Sequence, residues 1–121
     1  MRRFICLALL LLSCSGPRPL NPRALAQENA CIQSLQIEDY VSAKVRCELC
    51  LEYDDSVSAC MNGLGLVSYA RGDTDKAVDW FTKAIKQSKN FAQARNNLGA
   101  VYFKQNDFSG GIPYFKAALE I

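Results

Sequence analysis

The ten residues from Arg46 to Asp55, RCELCLEYDD, set Cys47 and Cys50 in a C-x-x-C. Three chemistries use that spacing: a dithiol redox centre, half of a zinc site, or a structural disulfide framework. A redox pair sits at the N-terminus of a helix that follows a strand, where the dipole lowers a thiol pKa. A four-cysteine zinc site normally shows two short-spaced pairs, whereas Cys31 and Cys60 stand alone. Catalysis has little else to use. There is no histidine, and the glycines of NGLGLVSYARGD lack the strand that a phosphate-binding turn requires. The acidic pairs Glu38/Asp39 and Asp54/Asp55 fall at helix boundaries, where carboxylates cap or face water. Trp80, Phe81, Tyr114 and Phe115 read as core. The expectation is a protein without catalytic residues, cofactor or metal, with thiol oxidoreductase chemistry as the lesser alternative.

At 121 residues, 50% hydrophobic and 21% charged, the chain suits one small globular domain. Its six cysteines fit an oxidising compartment. The N-terminus, MRRFICLALLLLSCSG, pairs two arginines with an apolar run too short to span a bilayer comfortably, which reads as a secretory signal over residues 1–13. Leu11, Leu12, Ser13 and Cys14 resemble the bacterial lipobox, and that resemblance implies acylation of Cys14 after cleavage. Ser15 lacks the aspartate associated with inner-membrane retention, so the expected location is the periplasmic face of the outer membrane. Three chains of roughly 14 to 16 carbons, at ~0.8 kcal/mol per buried methylene, make such an anchor effectively permanent. Processing removes Arg2 and Arg3 and leaves 12 basic against 12 acidic residues, a balance that disfavours nucleic acid.

Residues 14–23 hold three of the four prolines and read as an extended tether. Beyond them, apolar residues recur at three- and four-residue spacing, the signature of helices. A shift of 34 residues superposes Asn62, Leu64, Gly65, Val67, Asp73, Phe81 and Ala84 on Asn96, Leu98, Gly99, Val101, Asp107, Phe115 and Ala118. Thirty-four is the tetratricopeptide period. LGLVSYARGDTDKAVDWFTKA and NNLGAVYFKQNDFSGGIPYFKAALEI resemble that family's helix-turn-helix unit, with Gly65 and Ala77 allowing close helix approach and Phe81 filling the space beside Ala84. Asp73 and Asp107 fall in the turns, where they can cap the second helices. The expected fold is all-α: a tetratricopeptide-repeat solenoid of about three helical hairpins, at 24–57 (degenerate and Cys-rich), 58–91 and 92–121 (incomplete at its C-terminus).

The same shift puts Cys31 on the Gly65 position, Cys47 on that of Phe81 and Cys50 on that of Ala84, so all point between helices, with Cys60 opening the next unit. Mid-helix placement argues against a redox centre and for two structural disulfides. Antiparallel register favours Cys31 with Cys47 and Cys50 with Cys60, with Cys31–Cys50 and Cys47–Cys60 as the close alternative. In tetratricopeptide arrays the first helices line a concave groove for a peptide. By position, Asn62, Leu66 and Tyr69, then Gln93, Asn96, Asn97, Ala100 and Phe103, would face it, the asparagine amides pairing with a peptide backbone. No lysine and arginine set of the carboxylate-gripping kind is visible. Charge is segregated: 24–57 carries two basic and seven acidic residues, 58–121 eight and five.

Lipobox, short tether and repeat body together resemble the outer-membrane pilotin lipoproteins of type IV pili, the PilF, PilW and Tgl kind. The likeness spans essentially the whole chain, although that family usually has about six units. It implies a non-enzymatic, lipid-anchored scaffold whose partner is a secretin subunit or another pilus or envelope component. The alternative is a general periplasmic adaptor for envelope or peptidoglycan enzymes.

Overall fold

A computed structural model describes residues 19–121. Among them six helices follow one another, α1 (Pro22–Gln36), α2 (Tyr40–Tyr53), α3 (Ser58–Ala70), α4 (Thr74–Gln87), α5 (Ala92–Lys104) and α6 (Phe108–Leu119). They pair as three antiparallel hairpins, α1 with α2, α3 with α4 and α5 with α6. Each later hairpin stacks on the one before it, through α2 on α3 and α4 on α5. This is the all-α repeat solenoid that the periodicity implies. The signal segment 1–13 and Cys14 lie outside the described residues.

One boundary needs correction. Pro22 and Arg23, assigned to the tether, are the first residues of α1. Proline lacks only a donor that the first helical turn would leave unpaired anyway, and its fixed φ is already helical. Asn21 is the cap, its Oδ1 accepting from Arg23 N–H at 2.9 Å, so the chain turns into the helix two residues early.

The turn inside each hairpin is built the same way three times. Glu38, Gly72 and Asn106, each 34 residues apart, adopt left-handed φ of 59°, 81° and 61°. The next residue, Asp39, Asp73 or Asp107, donates its N–H back to the first helix, to the carbonyls of Ser34, Ser68 and Tyr102 at 2.8, 2.9 and 2.9 Å. That pattern closes the helix end with a Schellman motif. The same aspartates then cap the second helices, accepting from the N–H groups of Ser42, Lys76 and Gly110 at 3.1, 3.3 and 2.9 Å. Hydrogen bonds from the Ser42 hydroxyl and N–H lower the pKa of the Asp39 carboxyl from its ordinary value, so the cap stays charged further into acid.

Packing repeats with equal regularity. Ala43 and Ala77 are fully buried, and Gly111 is buried at the third equivalent position. Such small residues bring the paired helices close. At the next contact, a Cβ added to Gly65 would strike the ring of Phe81, and one on Gly99 would lie 3.2 Å from that of Phe115. In the first hairpin the same position pair is Cys31 and Cys47, joined as a disulfide with Cα atoms 5.3 Å apart. A second recurrent contact links one hairpin to the next: Ala84 and Ala94 share a buried cluster, while their counterparts Cys50 and Cys60 are bonded across a Cα separation of 6.4 Å. Gly63 of α3 lies directly on the first bridge, where a Cβ would come within 3.0 Å of Cys31 Sγ.

A left-handed φ costs a residue with a side chain roughly 1–2 kcal/mol, partly offset by glycine's greater unfolded-state entropy. Glu38→Gly is therefore expected to raise the unfolding free energy by about 0.5–1 kcal/mol, read from the denaturant midpoint with the disulfides intact.

Candidate functional site

The first helices α1, α3 and α5 lie side by side, and their shared outer face forms a shallow groove. Two depressions occupy it. One, of about 300 Å³, is lined by Ile32, Leu35 and Gln36 of α1, Ala59, Asn62 and Leu66 of α3, and Phe91 and Gln93 at the start of α5. The other, of about 390 Å³, continues past Leu35, Gln36 and Leu66 to Glu38, Tyr40, Tyr69, Ala70 and Lys104. Leu66 and Leu35 border both, so the floor is a continuous aliphatic strip across the hairpins.

The residues expected to face a peptide divide three ways. Leu66, Tyr69 and Gln93 line the depressions. Lys104 Nζ sits 4.8 Å above the Tyr69 ring, which places a cation at the groove edge. Asn62 borders the groove but is only 7% exposed, and its Oδ1 accepts from Asn97 Nδ2 at 2.9 Å. The two amides thus tie α3 to α5 through one hydrogen bond, while Asn62 keeps its place in the groove lining. Asn96 lies instead with Ala92, Phe115, Ala118 and Leu119 in a further hollow at the end of the array, which adjoins the groove through Gln93. Phe103 packs on the rings of Phe108 and Phe115 at centroid distances of 5.1 and 5.0 Å, and Ala100 borders neither depression. Ile32, Leu35, Phe91 and Lys104 went unnoticed in the sequence. Subtracting the repeat length from Leu66 and Tyr69 reaches Ile32 and Leu35, so that signal was present.

Cys31, Cys47, Cys50 and Cys60 stand behind this surface, at most 1% exposed and paired as two disulfides. Burial withholds them from thiol exchange with a partner, since exchange needs an accessible sulfur. Among the described residues no group of His, Cys, Asp and Glu is placed to hold a metal ion. What the groove offers is apolar area with a few polar edges, the composition of a protein-binding surface.

Residues 65–106 match a family model for the TPR repeat, and 92–121 match one for the tetratricopeptide repeat. Two crystal structures of MamA, each 25% identical, superpose over 80% of this chain with TM-scores of 0.71 and 0.69. The chain spans only 57% and 53% of those MamA chains. A mutant O-GlcNAc transferase from Thermobaculum terrenum superposes over 81% of the chain with a TM-score of 0.76 at 21% identity, but over 19% of its own length, which shows the fold alone. No curated protein matches by sequence. Residues 65–121 thus carry tetratricopeptide repeats, which indicate a protein-protein interaction scaffold and are typically non-catalytic.

If the Asn62–Asn97 amide pair fastens α5 to α3, the two side chains are energetically coupled. A double-mutant cycle with Asn62→Ala and Asn97→Ala should give a coupling of about 0.5–1.5 kcal/mol in unfolding free energy, the size of one half-buried hydrogen bond. Additive losses would show that the pair does not join the hairpins.

Proposed function

We propose that this protein is a lipid-anchored scaffold at the periplasmic face of the outer membrane, binding a secretin subunit and assisting its assembly as a pilotin-like factor of type IV pili. The observation that carries the binding role is the aliphatic strip of Ile32, Leu35 and Leu66, shared by successive hairpins and open to solvent on one side. An amphipathic helix laid along such a strip buries residues at i, i+3, i+4 and i+7 without needing free backbone-pairing groups. The Asn62–Asn97 bond favours that mode over an extended peptide, because it engages the Asn62 Oδ1 and the Asn97 Nδ2 in holding α5 to α3. The anchor and the choice of secretin rest on the lipobox, the tether and the resemblance to pilotins.

Leu66→Lys puts a charge in the middle of the strip, and because Leu66 also packs beside the cluster of Ala77, Phe81, Leu98 and Val101, retained helicity of the variant is checked by circular dichroism. In pull-downs from membranes of the native host, the unaltered protein is expected to recover a secretin subunit, and Leu66→Lys to weaken that capture by about tenfold or more. Recovery of no pilus or secretin component, together with normal secretin multimers after deletion, refutes the proposal. Capture of peptidoglycan enzymes in their place points to the adaptor role.

A further inference from the structure

Helices α2 and α4 hold equivalent places in successive hairpins, yet their outward sides differ in kind. On α4 that side presents Asp75, Asp79 and Lys83, all exposed. One repeat earlier the same positions are Val41, Val45 and Leu49. Val41 is 68% exposed and Val45 50%, and Ile37, just before α2, is 75% exposed. Spaced at i, i+4 and i+8, the exposed Val41 and Val45 and the half-buried Leu49 form one ridge along the back of the first hairpin, away from the groove. Nothing in the fold requires them to be apolar, since α4 packs equally well with charges there. An exposed apolar ridge of this kind marks a surface that meets something.

We infer that the ridge rests on the headgroup layer of the membrane to which the chain is tethered. This rests on the proposed acylation of Cys14. From Cys14 to Pro22 the chain can extend at most about 28 Å, at ~3.3–3.6 Å per residue. Helix α2 is itself about 21 Å long at ~1.5 Å per residue, so the greatest reach of the tether exceeds the length of that helix by only about 7 Å and the first hairpin stays near the bilayer. The root of the tether is also fastened to α2: Asn21 Nδ2 donates to the carbonyl of Tyr53 at 3.2 Å, and the Arg23 guanidinium lies 5.9 Å from the Tyr53 ring centroid. Tyrosine beside arginine is a pairing that membrane interfaces favour. Lys44 and Arg46 stand on either side of the ridge, Lys44 Nζ paired with Glu48 at 3.2 Å and the Arg46 guanidinium donating to Gln27 Oε1 at 3.2 Å. The first unit carries two basic and seven acidic residues, so the surface it fits is zwitterionic, not anionic. Seated this way, the hairpin turns its groove side away from the lipid.

The test reconstitutes the full acylated protein into vesicles of phosphatidylethanolamine and phosphatidylcholine containing a photoactivatable acyl chain, and maps labelled residues by mass spectrometry. Labelling over 37–49 should exceed that over 75–83 by about tenfold or more, the ratio that burying one such side chain would produce. The triple variant V41D/V45D/L49K copies the outward residues of α4 and should reduce α2 labelling to the α4 level with unchanged circular dichroism. Equal labelling of the two helices, unchanged labelling in the variant, or protein-protein crosslinks through α2 without lipid adducts would each overturn the inference. The mass of the amino-terminal peptide separates the two ideas: an unmodified Cys14 removes the anchor, while the α2 labelling still decides the fate of the ridge.

Discussion

Close approach between helices at two recurring contacts governs the whole array. Within a hairpin the contact is ring on glycine, Phe81 on Gly65 and Phe115 on Gly99; between hairpins it is alanine on alanine, Ala84 with Ala94. The first hairpin has neither the large ring nor the matching small residue. Sulfur stands at the corresponding places, three in this hairpin and the fourth, Cys60, at the start of α3, and the bridges Cys31–Cys47 and Cys50–Cys60 hold covalently what packing holds elsewhere. Their sequence separations of 16 and 10 residues correspond to about 3 kcal/mol each in the chain-entropy account. That is a large share of the ~5–15 kcal/mol typical of a small domain.

The groove is a consequence of the same contacts. Its floor combines side chains from α1, α3 and α5, and no single hairpin owns enough of it to bind anything. Leu35 belongs to α1, which is held in place by Cys31, while Leu66 belongs to α3, which carries Cys60 at its start. The bridges therefore join the two halves of the aliphatic strip, and the Asn62–Asn97 bond extends the join to α5. Cysteine chemistry here acts on function by fixing geometry, with every sulfur turned away from the binding face.

Much of this was legible in the sequence. The repeat length, the helical hairpins and the placement of four cysteines between helices follow from seven residues recurring at one spacing. Antiparallel register favoured the pairing observed but did not settle it, because Cys47 and Cys50 are one turn apart on α2 and either could reach Cys31. The turn geometry at Glu38 was hidden, since glutamate gives no sign of a left-handed φ; only its alignment with Gly72 and Asn106 reveals it. Expectations for the groove failed where neighbours decide the outcome. Asn96 and Phe103 occupy the same repeat positions as Asn62 and Tyr69, but they border the last hairpin and turn to other contacts. The repeat models begin at residue 65, past the hairpin in which cysteines replace the residues that define the pattern.

Hydrogen exchange in oxidised protein and in protein held under strong reductant tests the bracing role most directly. The account predicts that reduction strips protection from α1 and α2 while α4, α5 and α6 keep most of theirs, because only the first hairpin depends on sulfur for its close contacts. Unchanged protection in α1 and α2 after complete reduction, confirmed by thiol mass labelling, would contradict it.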